Sequence, residues 1–246
     1  MVTMTQSCTI VSAFIPNANS NRSTSTYLEL AGPLVSNNNP KIIFIDPSLT
    51  TALNKLPNTT IIPFKKSELF YSDLVSETTT EVPTSRNPNK DTLDYLVTMN
   101  NKTEWVRKAI QLNPYKTSQF MWIDFGIQHI FSSAQSLSKA LNTATSKSYN
   151  DKVRIAGIWP LNKQHFNSTK TTSFNTPQWY LAGGVFGGNH TQLIQFADKA
   201  KQATFYQLNN NRLTWEVNIW SQVCHETPEL FNIYKSDHNE SILTGY

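Results

Sequence analysis

Short, continuous runs of apolar residues recur along the chain, each bounded by residues that favour turns. Runs of this length are typical of strands buried on both faces of a parallel sheet. The segments with this pattern are Cys8–Phe14, Lys41–Ile45, Thr59–Pro63, Phe120–Ile123, Val153–Trp159 and Trp179–Phe186. The proline that ends the third segment places it at an edge of the sheet.

Apolar residues at helical spacing separate these runs. The predicted helices are Ser23–Ser36, Asp91–Leu112, Thr191–Asn209 and Thr214–Cys224. Gly32-Pro33 should end or kink the first of them, and Asn100-Asn101 interrupt the second. The polar segment Glu68–Asn89 contains two prolines and is predicted to be a mobile excursion. The tail Pro228–Tyr246 is aromatic enough to pack back on the body.

The alternation of strands and helices predicts a single α/β domain over residues 1–246, with a mainly parallel central sheet flanked by helices. Ligands of such sheets collect beyond the carboxyl ends of the strands. Asp46 and Asp124 follow predicted strands, and the predicted strand Trp179–Phe186 opens into the glycine segment Gly183–Gly188. We therefore expect them to share one crevice.

The composition excludes several classes of protein. A chain of 246 residues with 39% hydrophobic and 11% aromatic residues is expected to fold rather than remain disordered. The net charge of +4 is spread without a basic run, so we expect no nucleic-acid partner. No apolar stretch approaches the ~20 residues of a transmembrane helix. Cys8 and Cys224 are expected to be buried thiols of a protein in the reducing cytoplasm.

Four features could carry chemistry, and each also has a purely structural interpretation. Asp124 in Asp-Phe-Gly could hold a divalent cation at the mouth of the sheet, or it could simply form a turn. The glycine segment could bring backbone amides close to a ligand, or be a plain turn. Glu216, between Trp215 and a valine, could act as an acid or base, or lie on a helix face. His238 could bind metal or be exposed. The chain lacks the other motifs of a kinase.

Taken together, these segments resemble the HtrL/YibB-like family, whose members are described as bacterial and viral glycosyltransferases. The resemblance covers most of the chain apart from residues 68–89 and 131–176. The matching stretches are Thr9–Phe14, Arg22, Ile42–Asp46, Lys102 in Met-Asn-Asn-Lys-Thr-Glu-Trp, Asn113-Pro-Tyr, Phe120–Ile127, Gly183–Gly188 and the tail from Pro228 to Asn239. Trp-Ile-Asp-Phe-Gly is the most specific of them.

The resemblance implies a GT-A-like fold, in which an acidic metal motif, a glycine loop, an acid on a later helix and a C-terminal histidine occur in a fixed order. Asp124, Gly183–Gly188, Glu216 and His238 occur here in that order. The usual acidic motif is Asp-x-Asp, whereas Asp-Phe-Gly lacks the second carboxylate. The metal ion could then be weakly held, replaced by basic residues, or absent.

The resemblance also implies roles for individual residues. Asp124 and His238 would hold the cation, with Mn²⁺ favoured over Mg²⁺ because imidazole suits Mn²⁺ better. The donor would be a nucleotide sugar, with a UDP-sugar favoured, and the acceptor a glycan. Glu216 would be the catalytic base. The nucleotide and diphosphate would contact Phe14, Arg22, Asp46, Lys102 and Asp124, and the sugar and acceptor would contact Gly183, Gly184 and Trp215.

Two other functions are compatible with the same sequence. A sugar- or nucleotide-binding module could retain the fold without chemistry, which would suit the missing second carboxylate. A nucleotidyltransferase would also use a carboxylate-bound metal, but it normally needs a closely spaced carboxylate pair, and no pair stands at the matching position.

Overall fold

The fold is taken from a computed structural model that describes residues 8–17, 22–53, 56–149, 151–160 and 172–246. The strands are β1 (Cys8–Phe14), β2 (Lys41–Ile45), β3 (Thr59–Pro63), β4 (Gln119–Ile123), β5 (Val153–Gly157), β6 (Leu181–Asn189) and β7 (Phe231–Lys235). The helices are α1 (Thr24–Ser36), α2 (Leu93–Asn100), α3 (Lys102–Leu112), α4 (Ala134–Thr145), α5 (Thr172–Asn175), α6 (His190–Leu208), α7 (Glu216–Glu226) and α8 (Ser241–Thr244). Short 3₁₀ turns occupy Pro47–Leu53, Lys66–Glu68, Ser72–Leu74, Ile127–Ile130 and Pro228–Leu230.

The described strands form one sheet of seven in the order β3-β2-β1-β4-β6-β5-β7. Neighbouring strands pair in parallel except that β6 runs antiparallel to both β4 and β5. The prediction of an α/β fold with a mainly parallel sheet is therefore confirmed. Because β6 is reversed, its first residues lie at the same edge of the sheet as the carboxyl ends of β1 and β4.

Helices cover both faces of the sheet. A large apolar cluster joins one face to α3, α6 and α7, and a second cluster joins the opposite face to α4 and α8. A third cluster packs α1 against the ends of β1 and β2. The strands β2 and β4 are buried along their whole length, which accounts for their continuous apolar sequence.

The structure corrects the predicted elements at three places. Helix α1 does not end at Gly32-Pro33 but continues to Ser36, the predicted last residue. The segment Gly183–Gly188 lies inside β6 and is not a turn that follows it. The tail contributes β7, a strand that pairs with β5 at the edge of the sheet and that the sequence did not predict.

The segment Glu68–Asn89 is bonded to the body of the protein. The backbone N–H of Glu81 donates to Asn211 O at 2.7 Å, and Leu213 N–H donates to Glu81 O at 2.9 Å. The hydroxyl of Thr84 donates to Asn175 Oδ1 at 3.2 Å. These bonds connect the segment to α5 and to the loop before α7, and its predicted mobility stays a prediction.

Both cysteines are buried free thiols, as the sequence predicts. Burial raises the pKa of the Cys8 thiol to about 12 and that of Cys224 to about 11. Both thiols are therefore protonated at neutral pH.

Close approach of neighbouring atoms determines where β6 requires glycine. A Cβ atom on Gly187 would lie 2.7 Å from the carbonyl oxygen of Phe120 and would also collide with the hydroxyl of Tyr246. By contrast, a Cβ on Gly184 would meet nothing nearer than 3.4 Å. Gly187 is therefore required by packing against β4.

Replacing Gly187 with alanine should lower the free energy of unfolding by about 3 kcal/mol, the upper end of the usual cost of overpacking. The main obstacle is a backbone oxygen, which cannot move aside as a flexible side chain would. Urea denaturation measures the change. The matched control Gly184→Ala should stay within about 0.5 kcal/mol of the wild type. Equal stability of the two variants would show that packing against β4 does not require glycine at position 187.

Candidate active site

A cleft of about 1070 Å³ opens at the carboxyl ends of β1 and β4. Its position follows the general rule for open α/β sheets. Nine of the ten residues proposed from the sequence line it, and they come from widely separated parts of the chain. These nine are Phe14, Arg22, Lys102, Asp124, Gly183, Gly184, Trp215, Glu216 and His238. Their convergence was predicted; their roles stay predictions.

Asp46 is the exception, since it does not line the cleft among the described residues. Its Oδ1 accepts bonds from the backbone N–H of Ser48 at 2.9 Å and from the Ser48 hydroxyl at 2.6 Å. Asp46 thus caps the 3₁₀ turn that follows β2. Contact with a base or ribose stays a prediction for this residue.

Lys102 lies at the centre of the site. Its ammonium Nζ is 3.0 Å from Asp124 Oδ1 and 3.0 Å from Glu216 Oε1, and it donates to the carbonyl oxygen of Gly183 at 3.1 Å. The side chain is 3% exposed. Burial alone would lower the pKa of Lys102, but the two carboxylates outweigh that effect and raise it to about 12.

The contact of Lys102 with a diphosphate stays a prediction. An ammonium has three N–H donors, and here protein oxygens of Asp124, Gly183 and Glu216 accept from them. Lys102 would have to release one of these oxygens to contact a diphosphate directly. In the cleft wall, Lys102 is the common counter-ion of the Asp124 and Glu216 carboxylates.

Asp124 follows β4 and faces the cleft. Its Oδ1 accepts a hydrogen bond from the indole Nε1 of Trp122 at 2.7 Å, and its Oδ2 accepts from Lys102 at 3.3 Å. Its backbone N–H donates to Gly184 O at 2.9 Å, which joins the end of β4 to β6. The Asp124 side chain is 37% exposed and so remains accessible to a ligand.

Glu216 is the first residue of α7 and its side chain is 7% exposed. A Cβ on Gly183 would lie 2.5 Å from Glu216 Oε1 and 3.3 Å from Lys102 Nζ. The absence of a side chain at position 183 therefore makes room for the ion pair. This space requirement accounts for one of the two glycines that the sequence assigned to the sugar site.

The cleft is also lined by a residue to which the sequence analysis assigned no function. Tyr95 on α2 lines the cleft; burial and then the charges of Glu216, Asp124 and Asp91 raise its pKa well above the usual value. Its hydroxyl is therefore protonated and available as a donor. No role was predicted for this residue from the sequence, and only the position of the nearby carboxylates indicates one.

One end of the cleft is aromatic. The rings of Phe14 and Phe125 are parallel, with centroids 5.1 Å apart, and Tyr27 lies 4.9 Å from Phe14. Elsewhere in the lining, the rings of His238 and Trp179 meet edge to face, with centroids 4.8 Å apart. His238 is exposed and lines the cleft together with Trp215.

A divalent cation in the cleft would need ligands beyond the side chains of the protein. Among the described residues, no cluster of three His, Cys, Asp or Glu side chains could hold a metal. Asp124 and His238 supply one carboxylate and one imidazole to the same cleft. Diphosphate oxygens and water would have to supply the other ligands, as in many sites for phosphate-bound cations.

Comparisons with known proteins agree with the resemblance noted from the motifs. A family model described as "Bacterial protein of unknown function (HtrL_YibB)" matches residues 61–242. The chain belongs to the HtrL_YibB family. Protein HtrL from Escherichia coli (strain K12) is 25% identical to this HtrL_YibB member over 240 residues, which cover 86% of the chain and 78% of protein HtrL.

A comparison with solved structures finds mouse xyloside xylosyltransferase 1 in its apo form. The TM-score is 0.45 and the identity 11%, with 92% of this HtrL_YibB chain and 84% of the mouse chain covered. A likeness at this level does not extend to activity. In the described part of the chain, none of the helices has the length and apolar character needed to span a membrane.

Proposed function

We propose that this protein is a glycosyltransferase of GT-A type that moves a sugar from a nucleoside-diphosphate donor to a hydroxyl of a glycan acceptor. The observation that carries the proposal is the convergence of Asp124, Glu216 and His238 on one cleft. The volume of about 1070 Å³ suits a ligand of nucleotide-sugar size. The family assignment itself does not include an activity.

Each group in the cleft has a part in this reaction. Asp124 and His238 would hold a divalent cation, Mn²⁺ in preference to Mg²⁺, which when bound would offset the charge of the departing diphosphate. Glu216 would accept the proton of the acceptor hydroxyl if the reaction inverts the anomeric centre. Arg22 would contact the diphosphate, and the aromatic wall at Phe14 would border the nucleotide, with a UDP-sugar the first donor to test.

The transfer exchanges one bond for another. The acceptor oxygen forms a bond to the anomeric carbon as the bond from that carbon to the diphosphate oxygen breaks. The electron pair of the broken bond leaves with the nucleoside diphosphate, and the hydroxyl proton passes to Glu216. Lys102 holds Glu216 and Asp124 at fixed positions through contacts of 3.0 Å to each.

A panel of UDP-, GDP-, CMP- and dTDP-sugars tests the proposal by thermal stabilisation with and without Mn²⁺. A ligand at about 100 times its Kd should stabilise the fold by ~2.7 kcal/mol. The stabilising donor should then be hydrolysed slowly in the absence of acceptor. The Asp124→Ala variant should fold but lose both the Mn²⁺-dependent stabilisation and the turnover.

The panel also separates the alternatives. Stabilisation without hydrolysis or transfer under any metal would identify a binding module instead of an enzyme. Turnover by Asp124→Ala at the wild-type rate would remove this carboxylate from the mechanism. The absence of stabilisation by every nucleotide sugar would contradict the proposed function itself.

A further inference from the structure

Trp122 and Asp124 lie two residues apart at the end of β4, so their side chains point to the same face of the sheet. This spacing places the indole N–H against the carboxylate, where Nε1 donates to Asp124 Oδ1 at 2.7 Å. The sequence predicts Trp122 only as part of an apolar strand. The bond gives its polar atom a defined partner at the edge of the cleft.

The indole is held rigidly within an aromatic stack. Trp122 is 2% exposed. Its ring is nearly parallel to that of Trp105, with centroids 5.7 Å apart, and lies 6.4 Å from Phe186 at an angle of 19°. The direction of the N–H group is therefore set by packing, and the indole cannot turn away without displacing its neighbours.

The indole and Lys102 act differently on the carboxylate. Lys102 also contacts Asp124, but its positive charge would repel a cation bound there. The indole is a neutral donor, so it orients the carboxylate without adding charge. Lys102 Nζ lies 3.0 Å from Oδ1 and 3.3 Å from Oδ2, so Oδ1 has two donors near it, of which the indole is the closer. Oδ2 has only the longer contact with Lys102 and keeps a remaining lone pair.

We propose that Trp122 is a positioning residue whose indole N–H holds Oδ1 of Asp124, so that Oδ2 presents its lone pair to a cation carried by a nucleoside diphosphate. This inference rests on the proposed function. It assigns the tryptophan of Trp-Ile-Asp a part in metal affinity in addition to packing. Partners that orient a metal ligand typically affect metal affinity or activity about 10–100-fold when they are lost.

The test compares Trp122→Phe with Trp220→Phe. Both changes remove a buried indole N–H, but Trp220 packs between Phe186 and Phe196 and does not line the cleft. Binding of Mn²⁺ in the presence of UDP is measured from the electron paramagnetic resonance of free Mn²⁺. Trp122→Phe should bind Mn²⁺ about 10–100-fold more weakly, while Trp220→Phe should bind it as the wild type does.

The kinetic readout separates positioning from general damage. Trp122→Phe should need more Mn²⁺ for half-maximal turnover and should regain most of its kcat at saturating Mn²⁺. If Trp122→Phe does not fold, replacing Trp122 with β-(3-benzothienyl)alanine keeps the ring shape and substitutes sulfur for the N–H group. The same weakening of Mn²⁺ binding is then expected in a protein with its stack intact.

Equal Mn²⁺ affinity of the wild type and the Trp122 variants would overturn the inference, as would a wild type that binds no Mn²⁺ with UDP. Failure of the proposed function gives a different result. A wild type that binds Mn²⁺ and UDP but transfers no sugar would contradict the function, whereas the comparison of the variants would still establish the part played by Trp122.

Discussion

Replacing Lys102 with methionine should reduce the free energy of unfolding by about 3–5 kcal/mol, the usual cost of leaving a buried charge without its partner. Methionine fills similar space, so the loss is one of charge. Glu216 is 7% exposed and would keep its carboxylate in a site without a cation. Asp124 is 37% exposed and can regain water, so most of the loss should come from Glu216. Urea denaturation at neutral pH measures the change.

The control for this prediction is Lys66→Met. Lys66 forms an ion pair with Asp94, but the two side chains are 52% and 44% exposed. Loss of such a surface pair should cost at most about 1 kcal/mol. The double variant Lys102→Met/Glu216→Gln should recover part of the stability lost in Lys102→Met, because the buried charge is removed as well. A Lys102→Met protein as stable as Lys66→Met would show that Glu216 does not depend on this ammonium.

The fold could be predicted wherever the sequence of an element reflects its complete burial. β2 and β4 are buried on both faces, and a short, continuous apolar run between turn residues is the pattern that such burial produces. β7 was missed because it is a strand at the edge of the sheet with a mixed burial pattern. The glycines of β6 suggested a turn, because the atoms that require Gly187 belong to Phe120 and Tyr246, which are distant in sequence.

Pro33 shows a similar limit of local rules. A proline inside a helix removes a hydrogen bond and can end the helix, yet α1 continues to Ser36. Ala31, Leu34 and Val35 on either side of the proline are buried, and their packing on the sheet offsets the lost bond. The contribution of tertiary contacts cannot be derived from the dipeptide alone.

The site could be predicted as a set of residues but not as a network. Strand ends predicted that Asp124 and the glycine segment share a crevice, and the resemblance added Glu216 and His238 to the site. The resemblance assigned Lys102 to a diphosphate, and that role stays a prediction. The sequence did not predict that Lys102 is buried between two carboxylates, one of them 114 residues away along the chain, which compensate its charge. That arrangement depends on the reversed strand β6, which the alternation of elements does not predict.

Replacing Glu216 with glutamine should lower kcat by about 10²–10⁴-fold, the contribution expected of a general base. The amide oxygen can still accept a hydrogen bond from Lys102, so the contact of 3.0 Å to the ammonium can persist. An amide cannot take the proton of an acceptor hydroxyl. The KM for the donor should therefore stay near the wild-type value while kcat falls, which steady-state kinetics with the donor identified by the panel would measure.

Glu104→Gln is the matched control for Glu216→Gln. Glu104 is also a poorly exposed carboxylate (9%) in an ion pair, with Arg107 Nε at 3.1 Å, but it does not line the cleft. This variant should lose a comparable amount of stability and keep its kcat within about twofold, because it touches none of the reacting groups. If Glu216→Gln transfers sugar at the rate of Glu104→Gln, Glu216 is not the base. A different outcome is a higher KM for the acceptor with an unchanged kcat. This result would mean that the substitution removed an interaction of equal strength in the ground and transition states. Glu216 would then bind the acceptor without taking its proton.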